Sequence, residues 1–146
     1  ALLEAFRDIN QEHPFRVFIE PHFQGVKDGG SPCYPDVVIC EAEKIVGVVE
    51  LKYRPRNQLK LPNADLRKLT AIALKGHGLK LKIHRYWGQT KPVRYSLAED
   101  AVLCWAGVYA GERIKLVLDL DETCKHPFLQ LDVLTEKGCE PKICLE

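Results

Sequence analysis

The sequence predicts an α/β domain with a central mixed β-sheet flanked by helices. The expected order is helix, strand, two-stranded hairpin, helix and strand, with additional strands toward the C-terminus. Three observations lead to this. Residues 2–12 and 63–75 carry apolar residues at helical spacing. Tyr34 to Lys52 holds two Val- and Ile-rich runs joined by the short polar link Glu41-Ala42-Glu43-Lys44, which reads as a β-hairpin. Beyond residue 79, alternating or apolar runs follow one another between turn-forming residues.

Composition sets the outer bounds. A chain of 146 residues is one domain, large enough for a core without staples. Its 46% hydrophobic and 28% charged content is that of a soluble globular protein. A net charge of +1 excludes a general polycation, so a nucleic-acid partner would need a local basic patch. No apolar run is long enough to span a membrane, and no signal peptide is visible. The chain begins at Ala1 and has no Met, which reads as a fragment or trimmed chain that has lost an end, with any partner domain carried there. Six cysteines without a C-x-x-C pair read as thiols of an intracellular protein, cytoplasmic, nucleoid or nuclear. Cys124, His126, Cys139 and Cys144 fit no standard zinc spacing.

In order along the chain, residues 2–12 form a helix striped by Leu2, Phe6 and Ile9, ended by His13-Pro14. Phe15 to Phe23 alternates as one strand. Phe15, Val17, Ile19 and Phe23 are expected on its buried side, and Arg16, Phe18, Glu20 and His22 on the other. Gly25 to Pro32 is a loop. After the hairpin, Pro55 is expected to end the strand and open a basic loop with Arg54, Arg56 and Lys60. Asn63 to Lys75 is a helix, capped by Asn63 and closed at Gly76, with Leu66, Leu69, Ile72 and Ala73 buried. Residues 75–95 are the most basic segment, with Lys80, Lys82 and Arg85 among aromatics that include Trp87, and a strand near Lys80 to Tyr86. Ala101 to Ala110, Arg113 to Asp119 and Phe128 to Leu134 are strands. Asp119, Asp121 and Glu122 read as a solvated turn, and the tail from Thr135 has no clear pattern.

The hairpin carries the chemistry. Residues two apart on a strand share a face at about 3.3 Å rise per residue. A turn about residue 43 sets Asp36 opposite Glu50, Val38 opposite Val48 and Cys40 opposite Val46. Asp36, Glu50 and Lys52 then share one face, while Val37, Ile39, Val49 and Leu51 line the other and are expected to meet a helix. Two carboxylates and a lysine at the end of a sheet suit Mg²⁺ or Mn²⁺ held by hard oxygen ligands, with the lysine stabilising charge on a phosphodiester. An ordinary ion pair of Lys52 with Glu50 or Asp36 explains the same three residues.

Pro35-Asp36 followed by Glu50-Leu51-Lys52 resembles the signature of the PD-(D/E)XK nuclease superfamily. The order of elements extends the resemblance over residues 1–76. It implies a restriction-endonuclease-like core and a metal-dependent endonuclease, a hydrolase acting on DNA, with Mg²⁺ or Mn²⁺ as cofactor. Asp36, Glu50 and the Leu51 carbonyl would bind the metal, and Lys52 would orient or activate water. Further acidic or basic groups of such a site would come from Glu4 on the first helix, Glu20 or His22 on the first strand, and Lys68 or Asp65 on the second helix. On periodicity alone Glu4 lies opposite its apolar stripe, and Lys68 reads as a helix-surface lysine. Arg54, Arg56, Lys60, Lys80, Lys82, Arg85 and Trp87 would contact nucleic acid; each also reads as an ordinary solvated residue. Homodimers are common in the superfamily. The competing reading is a non-cleaving module that binds nucleic acid or protein on the same fold.

Overall fold

The computed structural model describes residues 15–26, 32–76, 78–82, 93–120 and 124–146. The expected first helix with Glu4, and the positions of Arg85 and Trp87, lie outside the described residues. Among the described residues the fold is α/β, with a mixed six-stranded sheet, a second three-stranded sheet and one helix. None of the described helices is long and apolar enough to cross a membrane.

The hairpin pairs β3 (Val37–Glu41) with β4 (Lys44–Gln58) across a turn at Ala42 and Glu43, where Ala42 adopts φ 51°. Val37 faces Val49 and Val38 faces Val48, as the sequence register requires. Beyond Ile39 a register shift brings Cys40 opposite Ile45 instead of Val46, because the two-residue turn closes one position earlier on β4. β1 (Phe15–Ile19) adds antiparallel to β3. On the other side β7 (Ser96–Ala110) runs parallel to β4, β8 (Phe128–Thr135) parallel to β7, and β9 (Lys142–Leu145) antiparallel to β8. β9 gives structure to part of a tail that showed no pattern.

The helix α1 (Asn63–Lys75) has the bounds its periodicity predicts and packs on β4 and β7. Leu69, Ile72 and Ala73 are buried and Leu66 partly so. Its N-cap is Pro62, whose carbonyl accepts from the Asp65 and Leu66 amides; Asn63 is already helical and makes no cap. Gly76 is not left-handed (φ −63°). It is required by close approach, since a Cβ there would stand 2.5 Å from Leu97 Cδ2.

The core lies on the face opposite to the one expected. Val38, Cys40, Ile45, Val48 and Glu50 are buried, whereas Val37, Ile39 and Val49 are half-buried and Leu51 is 52% exposed. Strands inside a mixed sheet are apolar on both faces, so hydrophobicity alone did not choose between them. Burial raises the Cys40 thiol to about 12.

The segment expected as one strand from Phe15 to Phe23 is two. Glu20 takes φ 46° before Pro21, and the chain leaves the large sheet for β2 (His22–Gln24). β2 pairs with β5 (Lys80–Lys82), which pairs with β6 (Val93–Arg94). The break reverses the parity of the alternation. Val17 and Ile19 are exposed, Phe18 packs edge-on to Tyr95, and Phe23 is fully buried.

Pro55 does not end β4, which continues to Gln58. It lies where pairing with β7 skips from Arg54↔Tyr109 to Gln58↔Ala110, so its missing N–H costs no ladder bond. Its carbonyl accepts from Thr135 Oγ1. The expected strand from Arg113 to Asp119 is irregular chain. Side chains on β7 and β8 satisfy its backbone instead. Gln130 accepts the Leu116 amide at 2.9 Å and donates to the Ile114 carbonyl at 2.6 Å, and the Tyr109 hydroxyl accepts the Ile114 amide at 3.3 Å. Asp132, fully buried, receives Tyr109 at 2.9 Å, Arg113 at 2.8 Å and Gln130 at 2.8 Å. Three donors satisfy both oxygens of this buried carboxylate, while Arg113 Nη2 is left buried without a partner.

Trp105 is fully buried, and its ring lies over Gly107, where a Cβ would meet Trp105 Cη2 at 2.2 Å. Gly107→Ala is therefore expected to lower stability by about 1–3 kcal/mol in urea unfolding. Gly47→Ala, where the new Cβ meets Ile39 Cδ1 at 3.4 Å, is expected to cost clearly less.

Candidate active site

β4 and α1 build the site between them. Glu50 and Lys52 lie two apart on β4 and so project from one face. On α1, Asp65, Lys68, Leu69 and Ile72 follow the i, i+3, i+4, i+7 spacing of a single stripe, so both charges lie on the edge of the stripe that packs against the sheet. The helix returns antiparallel to the strand it follows. Lys52 therefore meets Asp65 (Nζ–Oδ2 3.2 Å), and Glu50 meets Lys68 (Oε2–Nζ 2.5 Å).

Glu50 is 1% exposed. Burial pushes its carboxyl from 4.5 up to about 7; the hydrogen bond and charge of Lys68 pull it back, and Asp36 and Asp65 push it further up. Lys68 also donates to the Tyr34 carbonyl at 2.9 Å, which fixes its ammonium between loop and strand. Burial disfavours that ammonium, but the hydrogen bond and charge of Glu50, with Asp36 and Asp65, more than compensate and leave its pKa raised. Glu50 Oε1 is buried with no hydrogen-bond partner, as is Nε1 of Trp105, the residue beside Glu50 on β7.

Asp36 precedes β3 and is half-buried. Its Oδ2 accepts the Leu51 amide at 2.6 Å, in place of a strand partner at the position where β3 has ended. Its carbonyl accepts the Glu20 amide at 2.9 Å. Asp36 is thus clamped from both sides against the Glu50–Leu51 peptide.

Asp36 lies close enough to Glu50 to act on its charge, and Lys52 follows two residues on along β4, but the pairing differs from the one expected. Lys52 is held by Asp65 and not by Asp36 or Glu50. Lys68 is no free surface lysine, since it is the direct partner of Glu50. Glu20 contributes its backbone amide to Asp36, and its side chain is exposed. The His22 ring stacks on Tyr34, whose carbonyl holds Lys68. Arg54, Arg56, Lys60 and Lys80 are exposed, the first two on the extension of β4 past Lys52, and Lys82 lies on β5 opposite His22. Tyr34 and Trp105 carried no motif and were missed.

A divalent cation fits the donors only in part. Glu50 offers a buried oxygen without a partner, and Asp36 a second carboxylate beside the Leu51 peptide. Among the described residues no group of three or more His, Cys, Asp and Glu could hold a metal ion. The two carboxylates would need main-chain and substrate oxygens to complete a shell, which is how Mg²⁺ is commonly held. No family model matches the chain, and comparison with curated proteins finds no match.

Glu50 gives a test of this electrostatics. Its folded pKa lies above its unfolded value, so between pH 4.5 and 7 the folded state keeps a proton that the unfolded state releases. Stability then falls as pH rises through this window. In EDTA, wild type is expected to lose about 2–3 kcal/mol relative to Glu50→Gln between pH 4.5 and 8 in urea unfolding.

Proposed function

We propose that this protein is a metal-dependent nuclease that hydrolyses phosphodiester bonds in DNA, with a restriction-endonuclease-like core. The observation that supports this most is the buried carboxylate of Glu50, with one oxygen on Lys68 and the other without a partner, beside Asp36 and Lys52. An accidental surface ion pair has no need of a buried acid on a sheet face, where desolvation costs several kcal/mol.

Asp36, Glu50 and the Leu51 carbonyl would hold Mg²⁺ or Mn²⁺. When bound, the cation supplies charge neutralisation at the phosphodiester and acidifies water. The chain's own residues do the rest. Asp65 holds the Lys52 ammonium in place at the edge of the site, where it stabilises negative charge building on the phosphate. Lys68 balances Glu50 and keeps a second ammonium within reach of a substrate oxygen. Arg54, Arg56, Lys60 and Lys80 provide exposed cations for flanking phosphates.

One observation favours the non-cleaving binding module. Lys52 with Asp65 and Lys68 with Glu50 form two ion pairs that are made without a ligand. Cleavage of labelled single- and double-stranded DNA with Mg²⁺ or Mn²⁺ decides between the two. Metal-dependent cutting is expected, falling by at least about 100-fold in Asp36→Ala and in Lys52→Ala, consistent with loss of a principal electrostatic group. Binding without cutting in wild type would establish the module instead.

A further inference from the structure

The site has an aromatic wall that the proposed chemistry does not use. Phe23 and Cys33 form an antiparallel bridge, exchanging backbone hydrogen bonds at 2.8 and 3.1 Å, and both side chains are fully buried. Alternation then turns the next pair in this register, His22 and Tyr34, to the opposite side. Their rings stack with centroids 5.0 Å apart and planes 21° apart. Tyr34 remains 47% exposed despite that stack. An exposed tyrosine on a loop ordinarily samples several rotamers; here one neighbour fixes its plane in advance.

The location gives this pair its meaning. The Tyr34 carbonyl accepts Lys68 Nζ at 2.9 Å, and Lys68 Nζ is 2.5 Å from Glu50 Oε2. Asp36 follows Tyr34 by two residues across the buried Pro35. The backbone of Tyr34, which carries one of the stacked rings, therefore stands two hydrogen bonds from the carboxylate at the centre of the site. A phosphodiester placed at Glu50 and Asp36 would bring its neighbouring base to this wall.

We propose that the Tyr34–His22 stack is a nucleobase platform that selects nucleic acid with an unpaired base next to the scissile phosphate: single strands, or frayed and flapped ends. This deepens the nuclease reading and rests on it for the position of the phosphate. Every base has a π-face that can stack on a fixed aromatic ring. In a duplex those faces are already covered by neighbouring base pairs, so only an unpaired base can present one. Exposed cations on the extension of β4 would follow the backbone leading away from the platform.

The test uses the whole chain and separates binding from cleavage. The probes are a single-stranded 12-mer with one 2-aminopurine and the same sequence closed into a hairpin duplex. Stacking quenches 2-aminopurine fluorescence, and EDTA prevents cutting. Wild type is expected to quench the single strand, with affinity weakened about tenfold or more in Tyr34→Ala and kept in Tyr34→Phe. Circular dichroism confirms that the variants remain folded. Equal binding of both probes, absence of quenching, or quenching that survives Tyr34→Ala would overturn the platform. Quenching without Mg²⁺-dependent cutting would remove the nuclease reading and leave the platform standing. Cutting without quenching would do the reverse.

Discussion

A carboxylate buried to 1% exposure at a sheet–helix interface is an expensive group, and Glu50 constrains what surrounds it. It needs a cation on the facing element, which Lys68 supplies from α1. That contact, with Lys52 on Asp65 one turn earlier, fixes both the rotation of α1 and its position along β4. The Lys68 ammonium in turn anchors the Tyr34 carbonyl, and with it the chain leading into Asp36. Strand, helix and loop are therefore joined through one pair of opposite charges. Hydrophobic packing of Leu69 and Ile72 supplies much of the attraction, but it is non-directional and would accept several rotations.

A second polar centre does comparable work two strands away on the same face of the sheet. Asp132 and Gln130 are buried on β8, and their hydrogen bonds hold the chain after β7 against the sheet without a ladder. Burial pushes the Tyr109 hydroxyl up to about 12; the Ile114 amide pulls it back, and its hydrogen bond to Asp132 raises it further. Each Asp132 oxygen has a donor, and Arg113 extends the network to Glu146 at 2.9 Å. The Glu50 centre differs in having a carboxylate oxygen left over.

Much of this was legible in the residues. The α/β class, the hairpin register near Val38 and Val48, and the bounds of α1 all follow from local pattern. Which face of the hairpin is buried did not, because Val and Ile occupy both. The information lay elsewhere in the chain. Asp65 and Lys68 fall on the same helical stripe as Leu69 and Ile72, and their order complements Glu50 and Lys52 on the strand. Two charges on a buried stripe need partners, and only the face bearing Glu50 and Lys52 offers them. The split of Phe15–Phe23 was hidden for another reason: a left-handed residue at Glu20 is a conformation that sequence alone rarely announces. The strand expected over 113–119 was displaced by hydrogen bonds from distant side chains, which local pattern does not contain.

In the proposed function Glu50 and Asp36 hold one divalent cation beside Lys68. Mn²⁺ binding followed by electron paramagnetic resonance tests it most directly, with wild type compared with Glu50→Gln. One saturable site is expected in wild type, lost in Glu50→Gln. Absence of binding in wild type, or binding unchanged by the substitution, would contradict it.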